Sequence, residues 1–214
     1  MKIFLLLACT VVCVLGNVVW AVDLQNTQCD IEEAYFRATP TMEKADQASK
    51  RKDTKGEIDY YKIGVKENNP EAKLMLSLTY RAGKDVPKNV TESVRLMKSA
   101  AEQDFGPGQA LMGMLYQLGF GVPQNYGEAV RWFKLSAARG CAEAWSYLSH
   151  MHQDGKGTPK NYIKAHMWAN LKAAKDSFRT DERDWLEKQM TQEQIAQAQQ
   201  LATRCQAQNF QNCD

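Results

Sequence analysis

A segment of this chain repeats itself every 36 residues, and that period limits the possible fold more than any other feature. Ala72, Gly108 and Ala144 stand 36 apart, and the same offset takes Leu76 to Met112 and Leu148, and Ser77 to Gly113 and Ser149. It also takes Gly83 to Gly119 and Gly155, Pro87 to Pro123 and Pro159, and Asn89 to Asn125 and Asn161. A period of about 20 to 50 residues belongs to repeat architectures, where no unit buries its own apolar face and stacking creates the core. The period predicts a solenoid that offers a binding surface and no catalyst.

Within each unit the apolar residues have helical spacing. Ala129, Trp132, Phe133, Ser136 and Ala137 fall at i, i+3, i+4, i+7 and i+8, which is one helix face. The preceding unit offers Ser93, Leu96, Met97, Ala100 and Ala101, and the following one Ala165, Trp168, Ala169 and Ala173. The fold expected is therefore all-α, built of helix–turn–helix pairs. Helix A is predicted over 72–82, 108–118 and 144–154, and helix B over 91–104, 127–140 and 163–175. In the turn Gly119-Phe120-Gly121-Val122-Pro123-Gln124-Asn125, a glycine stops helix A, proline prevents its continuation and asparagine caps helix B. The turn from Gly155 to Asn161 repeats this chemistry, while the turn from Gly83 to Asn89 has Asp85 in place of the second glycine.

Shifting helix B back by one period places Tyr60, Tyr61 and Gly64 on Leu96, Met97 and Ala100. Residues 55–68 thus read as helix B of a partial unit, with 40–52 as its helix A. After the repeats, Thr180-Asp181-Glu182 and Thr191-Gln192-Glu193-Gln194 look like helix starts, the second with capping-box spacing. Trp185, Leu186, Met190, Ile195, Ala198 and Ala202 supply an apolar face for a pair of helices capping the open end of the stack. The expected organisation is a leader over 1–21 and an N-terminal segment with a first helix over 22–54. Repeats (one partial, three full) follow over 55–176, capping helices over 177–206 and a polar, irregular tail over 207–214.

The leader reads as an export signal. Met1-Lys2 is a short basic start, Ile3 to Leu15 is apolar except for Thr10, and Val19-Trp20-Ala21 suits a peptidase, with cleavage after Ala21. The run is shorter than the roughly 20 residues a spanning helix needs. Leu6-Leu7-Ala8-Cys9 imitates a lipoprotein box with almost no hydrophobic region before it. Removing 21 of 214 residues leaves 193, with no further stretch of spanning length. The formal charge falls from +2 to +1 with the loss of Lys2, a balance that argues against a nucleic-acid partner. Lys50-Arg51-Lys52 lies among Glu43, Asp46 and Asp53 and reads as a solvated helix surface. A periplasmic or secreted location is expected.

Export permits disulfides. Cys9 and Cys13 leave with the leader, and Cys29, Cys141, Cys205 and Cys213 remain. Four cysteines allow three pairings. Proximity at the end of the last helix favours Cys205 with Cys213, which leaves Cys29 with Cys141 to pin the N-terminal segment to the repeats. None has the spacing of a metal finger.

The repeated residues resemble a known family. Gly113, Tyr116, Gly119, Gly121, Val122, Ala129, Trp132, Ala137 and Gly140 follow the pattern of Sel-one-like repeats, relatives of the tetratricopeptide repeats. Ala144, Leu148, Gly155, Gly157, Ala165 and Trp168 follow it in the third unit, and Ala72, Leu76, Tyr80, Gly83, Val86, Ala100 and Ala101 in the first. Met190-Thr191-x-x-Gln194-Ile195-Ala196-x-Ala198 is similar to the closing helices of bacterial members. Departures are Gly108 for alanine, His152 for tyrosine, and Asp104 and Lys175 near the unit-ending glycine. The resemblance implies an α-solenoid holding other proteins on its concave side, often in the bacterial envelope. Some cysteine-rich members have been linked to penicillin binding and weak β-lactam hydrolysis, but they carry a disulfide in nearly every repeat, which this chain lacks.

Catalytic constellations are sparse. Ser49 and Lys52 have Ser-x-x-Lys spacing, which would set a lysine one turn from a nucleophile, yet no Ser-Asp-Asn or Lys-Thr-Gly follows. His150, His152 and His166 form no His-Glu-x-x-His, and His152 takes a packing position, so no metal is expected. Gly119-x-Gly121 and Gly155-x-Gly157 follow helices and not strands, so they are turns and hold no dinucleotide. Asn89-Val90-Thr91 is a glycosylation sequon on a recurring repeat asparagine, hence a structural residue first. Trp132 and Trp168 hold core positions, whereas Trp145 is less constrained by the repeat and is the candidate to face a partner. The function expected is a non-enzymatic scaffold of the bacterial envelope that binds a helix or peptide of another protein, without cofactor. The alternative is a peptidoglycan-related or β-lactam-recognising enzyme with Ser49 as nucleophile.

Overall fold

Why each unit folds as two helices is visible at its turns. The computed structural model describes residues 11–15, 18–22, 39–175 and 180–213. Asn89, Asn125 and Asn161 each accept, through Oδ1, the backbone N–H three residues ahead at 3.0 Å. Their own N–H groups reach back across the turn to the carbonyls of Tyr80, Tyr116 and His152 at 3.0, 2.9 and 2.8 Å. Each asparagine therefore closes its turn at both ends. His152, which departs from the repeat's tyrosine, keeps this contact because only its carbonyl is used.

Ten helices follow among the described residues: α1 (Pro40–Lys50), α2 (Thr54–Lys66), α3 (Pro70–Ala82), α4 (Val90–Ala101), α5 (Gly106–Leu118), α6 (Tyr126–Ala137), α7 (Ala142–Asp154), α8 (Tyr162–Lys175), α9 (Asp181–Glu187) and α10 (Gln192–Ala207). Pairs α1–α2, α3–α4, α5–α6 and α7–α8 each pack on the next, so neighbours in sequence are neighbours in space. That is the α-solenoid the period predicts. α9 and α10 close on α8, and α10 opens with a complete capping box between Thr191 and Gln194.

The A helices begin two residues ahead of the predicted starts, at Pro70, Gly106 and Ala142. Pro70 and Pro107 suit a first turn, where the missing N–H is no loss. Helices α4 and α6 stop earlier than predicted, because the chain must reverse into the next unit. Asn68, Asp104 and Gly140 share one repeat position, each left-handed at φ 61°, 60° and 77°. Asp104 thus takes the conformation that glycine takes in the next unit, and Arg139 Nη2 reaches its Oδ2 at 2.8 Å.

Near the N-terminus, β1 (Val11–Leu15) pairs antiparallel with β2 (Val18–Val22), Val11 opposite Val22 and Leu15 opposite Val18. No strand is expected here from the apolar run, which reads as an export signal. Six of these ten residues are valine, whose branched side chain favours extended backbone. Cleavage after Ala21 would fall inside β2.

The core runs along the stack between successive pairs. Met42, Ile58, Tyr61, Ala72, Leu76 and Leu96 join the partial unit to the first full one. Leu78, Met97, Leu111, Met112 and Trp132 join the first to the second. Phe133, Trp145, Leu148, Met167, Leu171 and Ala202 join the second to the third and to the cap. Small residues set the approach: a Cβ on Gly113 would lie 2.5 Å from Cε1 of Phe133. Phe133 in turn stacks on Tyr147 of the next unit at 4.5 Å and 8°. Ser136 donates from α6 to the Gly106 carbonyl at the start of α5, within one unit, at 2.9 Å.

Candidate functional site

What remains for function is what the stack leaves uncovered, and the tryptophans show how it divides. Trp132 and Trp168 are core residues, 5% and 2% exposed. Trp145, expected to face a partner, does not: it is 2% exposed. Its indole N–H donates to the Ala137 carbonyl at 3.3 Å, and its ring lies 4.8 Å from that of Phe210. Lys175 Nζ sits 5.7 Å from the ring centroid and donates to the Gly140 carbonyl at 3.1 Å.

The equivalent residues of the other units are Lys73 and Gln109, both buried, and their polarity hid the position's nature. Gln109 Nε2 donates to the Ala101 carbonyl at 3.3 Å, the counterpart of the Trp145 bond one period earlier. Lys73 donates to Asn68 Oδ1 and, at 3.0 Å, to Ser99 Oγ. Lysine, glutamine and tryptophan share one property at this position, a buried N–H donor that answers polar atoms where two helices meet. That shared chemistry is the signal the hydrophobic pattern could not register. Burial, with the Arg95 guanidinium adding to it, holds the Lys73 pKa below its ordinary 10.5.

Of Trp132, Trp145, Trp168 and Trp185, the exposed one is Trp185, at 44%. It was expected on the apolar face of the cap. α9 has seven residues, and Trp185 and Leu186 point about 100° apart on it, so one of them meets α8. Leu186 does, packing with Ala165 and Ala169. Glu182, one turn before Trp185, has Oε1 3.7 Å from Nε2 of the exposed His150 on α7. Leu118, at the end of α5, is 51% exposed. The A helices α3 and α5 also touch each other directly.

The C-terminal residues form a second feature of this end. A disulfide joins Cys205 to Cys213 with Cα atoms 4.9 Å apart. The tail, read as irregular, folds back: Gln211 Nε2 donates to the Ala138 carbonyl at 2.9 Å. Cys141 is buried and disulfide-bonded. Cys29, its expected partner, lies outside the described residues.

The candidate chemical groups do not converge. Ser49 lies in the last turn of α1, but Lys52 lies beyond it at φ 60°, so the pair is not stacked on one helix turn. His152 is buried with Nδ1 3.3 Å from Thr158 Oγ1, and His166 is buried with Nε2 3.1 Å from Glu187 Oε1. Among the described residues no group of three or more His, Cys, Asp or Glu side chains is placed to hold a metal ion. No described helix is long and apolar enough to cross a membrane.

The Sel1 repeat profile matches residues 70–105, 106–141 and 142–177, the three full units. No curated protein matches the chain. Among solved structures, a Sel1 repeat protein from Oxalobacter formigenes is 25% identical with a TM-score of 0.55, covering 60% of this chain and 95% of that one. A protective antigen, c5321, present in uropathogenic Escherichia coli strains and displaying an SLR fold, is 20% identical with a TM-score of 0.48. That match covers 72% of this chain, which spans 42% of the antigen's length.

Proposed function

We propose that this chain, which belongs to the Sel1 repeat family, is a non-enzymatic scaffold of the bacterial envelope that grips a helix or extended peptide of a partner protein. Sel1 repeat proteins are generally protein-interaction scaffolds. The observation that carries the reading is the exposed Trp185 beside the His150–Glu182 pair, at the helix-A side of the last unit. The direct contact between the A helices α3 and α5 supports the helix-A side as the binding face, with Trp185 at its C-terminal end as an aromatic anchor. About three and a half units make a short groove, the size of one helix or peptide. The leader Met1 to Ala21 supports export, and the Cys205–Cys213 bridge suits an oxidising compartment.

The test is capture of cross-linked partners by tagged protein in its own cells, comparing wild type with Trp185→Ala and Leu135→Ala. Leu135, exposed on helix B, is the control for the opposite side. A partner lost with Trp185→Ala and kept with Leu135→Ala supports the reading; equal loss, or retention in both, refutes the assigned face. Fractionation with N-terminal sequencing of the purified protein tests export, with Val22 as the expected first residue.

A further inference from the structure

We propose that the C-terminal loop 208–213 is a redox-released strap: the Cys205–Cys213 disulfide holds it over Trp145, and reduction by a dithiol uncovers that face. Three observations converge on it.

The loop is attached to the stack at few points. Phe210 lies against Trp145, and Phe210 and Cys213 pack on the cluster containing Trp145, Leu171, Ala202 and Cys205. Gln211 reaches Ala138, 73 residues away in sequence, through one hydrogen bond. Gln208, Asn209 and Asn212 are polar and exposed.

The backbone of the loop is strained. Asn209, Phe210 and Asn212 have φ of 50°, 60° and 54°. Asparagine tolerates the left-handed region; a phenylalanine resists it, because its Cβ crowds the following carbonyl. The Asn209 and Phe210 N–H groups donate to the Gln206 and Cys205 carbonyls at 3.0 Å each, which holds the first of these residues as the left-handed end of α10 without a glycine. The bridge adds to that hold further along: Cys205 lies in the last turn of α10, and Cys213 is tied back to it with Cα atoms 4.9 Å apart.

The two sulfurs are unequally placed. Cys205 is 1% exposed, whereas Cys213 is only half-buried and so is the sulfur a reductant can reach. One thiolate of the dithiol attacks Cys213 Sγ, the S–S bond breaks, and Cys205 leaves with the electron pair and takes a proton. The second thiol of the reductant then displaces Cys213, closing the reductant into its own disulfide. Two cysteine thiols now hold what the dithiol lost. With the bridge gone the left-handed residues relax, Phe210 withdraws, and Trp145 with the alkyl chain of Lys175 becomes an accessible apolar surface.

The test uses the full chain with Cys205→Ala and Cys213→Ala together, which opens the loop without touching the bridge at Cys141. The readouts are the Trp145 indole N–H resonance, assigned by its disappearance in Trp145→Phe, and limited proteolysis. The expected result is a shifted Trp145 resonance and new cleavage within 208–213, with helical circular dichroism unchanged. Phe210→Ala with the bridge intact should shift the resonance while the loop stays uncleaved, separating the ring from the strap. An unshifted resonance with an uncleaved loop in the folded double variant overturns the proposal. If the double variant loses its helical signal, wild type under limiting dithiothreitol replaces it. Loss of the 205–213 bridge by peptide mass mapping, without a Trp145 shift, then overturns it as well.

Discussion

Alanine at Gly157 should unsettle the stack far more than alanine at Gly121 or Gly155, although all three glycines are left-handed, at φ 70°, 71° and 73°. A left-handed alanine costs about 1–2 kcal/mol at each. At Gly155 little is added, since the new Cβ would stand 3.3 Å from Lys160 Cβ. At Gly121 it would meet Val94 Cγ2 at 2.7 Å and Val90 Cγ1 at 2.8 Å, methyl groups that turn about χ1. At Gly157 it would meet the Tyr126 carbonyl oxygen at 2.2 Å and its carbon at 2.4 Å. That carbonyl belongs to the first turn of α6 and cannot swing aside, so two units must part. Overpacking costs about 1–3 kcal/mol, and the stiffer unfolded chain offsets about 0.4–1 kcal/mol of the total. The net losses are about 1 kcal/mol at Gly155, about 2 at Gly121 and about 3–4 at Gly157. Urea unfolding followed by circular dichroism reads them as midpoints falling in that order at constant slope. A Gly157→Ala protein with the midpoint of Gly155→Ala would refute the idea that this second turn glycine seats its turn on the helix-B start of the unit before it.

Trp145→Ala should cost about 3–5 kcal/mol by opening a cavity under Phe210, while Trp185→Ala stays within about 0.5 kcal/mol of wild type; thermal and urea unfolding separate the two. Lys73 has a folded pKa below its unfolded value of about 10.5, so between the two the unfolded chain binds more protons and stability rises with pH. Lys73→Met should abolish that alkaline rise, checked by urea midpoints from neutral pH to about 10.5 in both proteins; an unchanged slope would show that Lys73 does not carry it. Asp104→Gly should stabilise by up to about 1 kcal/mol, because glycine takes φ 60° without a Cβ penalty and the exposed pair with Arg139 is worth little. A loss in unfolding free energy would instead give that ion pair the larger share.

Much of this architecture was legible in the sequence because its causes are local. A helix face such as Ala129–Trp132–Phe133 repeats with the helical period, and the asparagine caps work through backbone atoms three residues away. The candidate site was not legible in that way. The helix-A residue at the position of Trp145 reads as polar in Lys73 and Gln109, and only the buried donor bonds to the helix-B ends explain all three. Trp185 and Leu186 are adjacent apolar letters, and no pattern on a seven-residue helix says which of them meets α8.

The sequence by itself determined the helix pairs, their turns, their order and the family, since each follows from interactions within one period. Only the tertiary structure decided which tryptophan faces solvent. Exposure depends on what returns from far along the chain, here Phe210 over Trp145 and α9 beside His150, and such long-range coverage leaves no trace in local spacing.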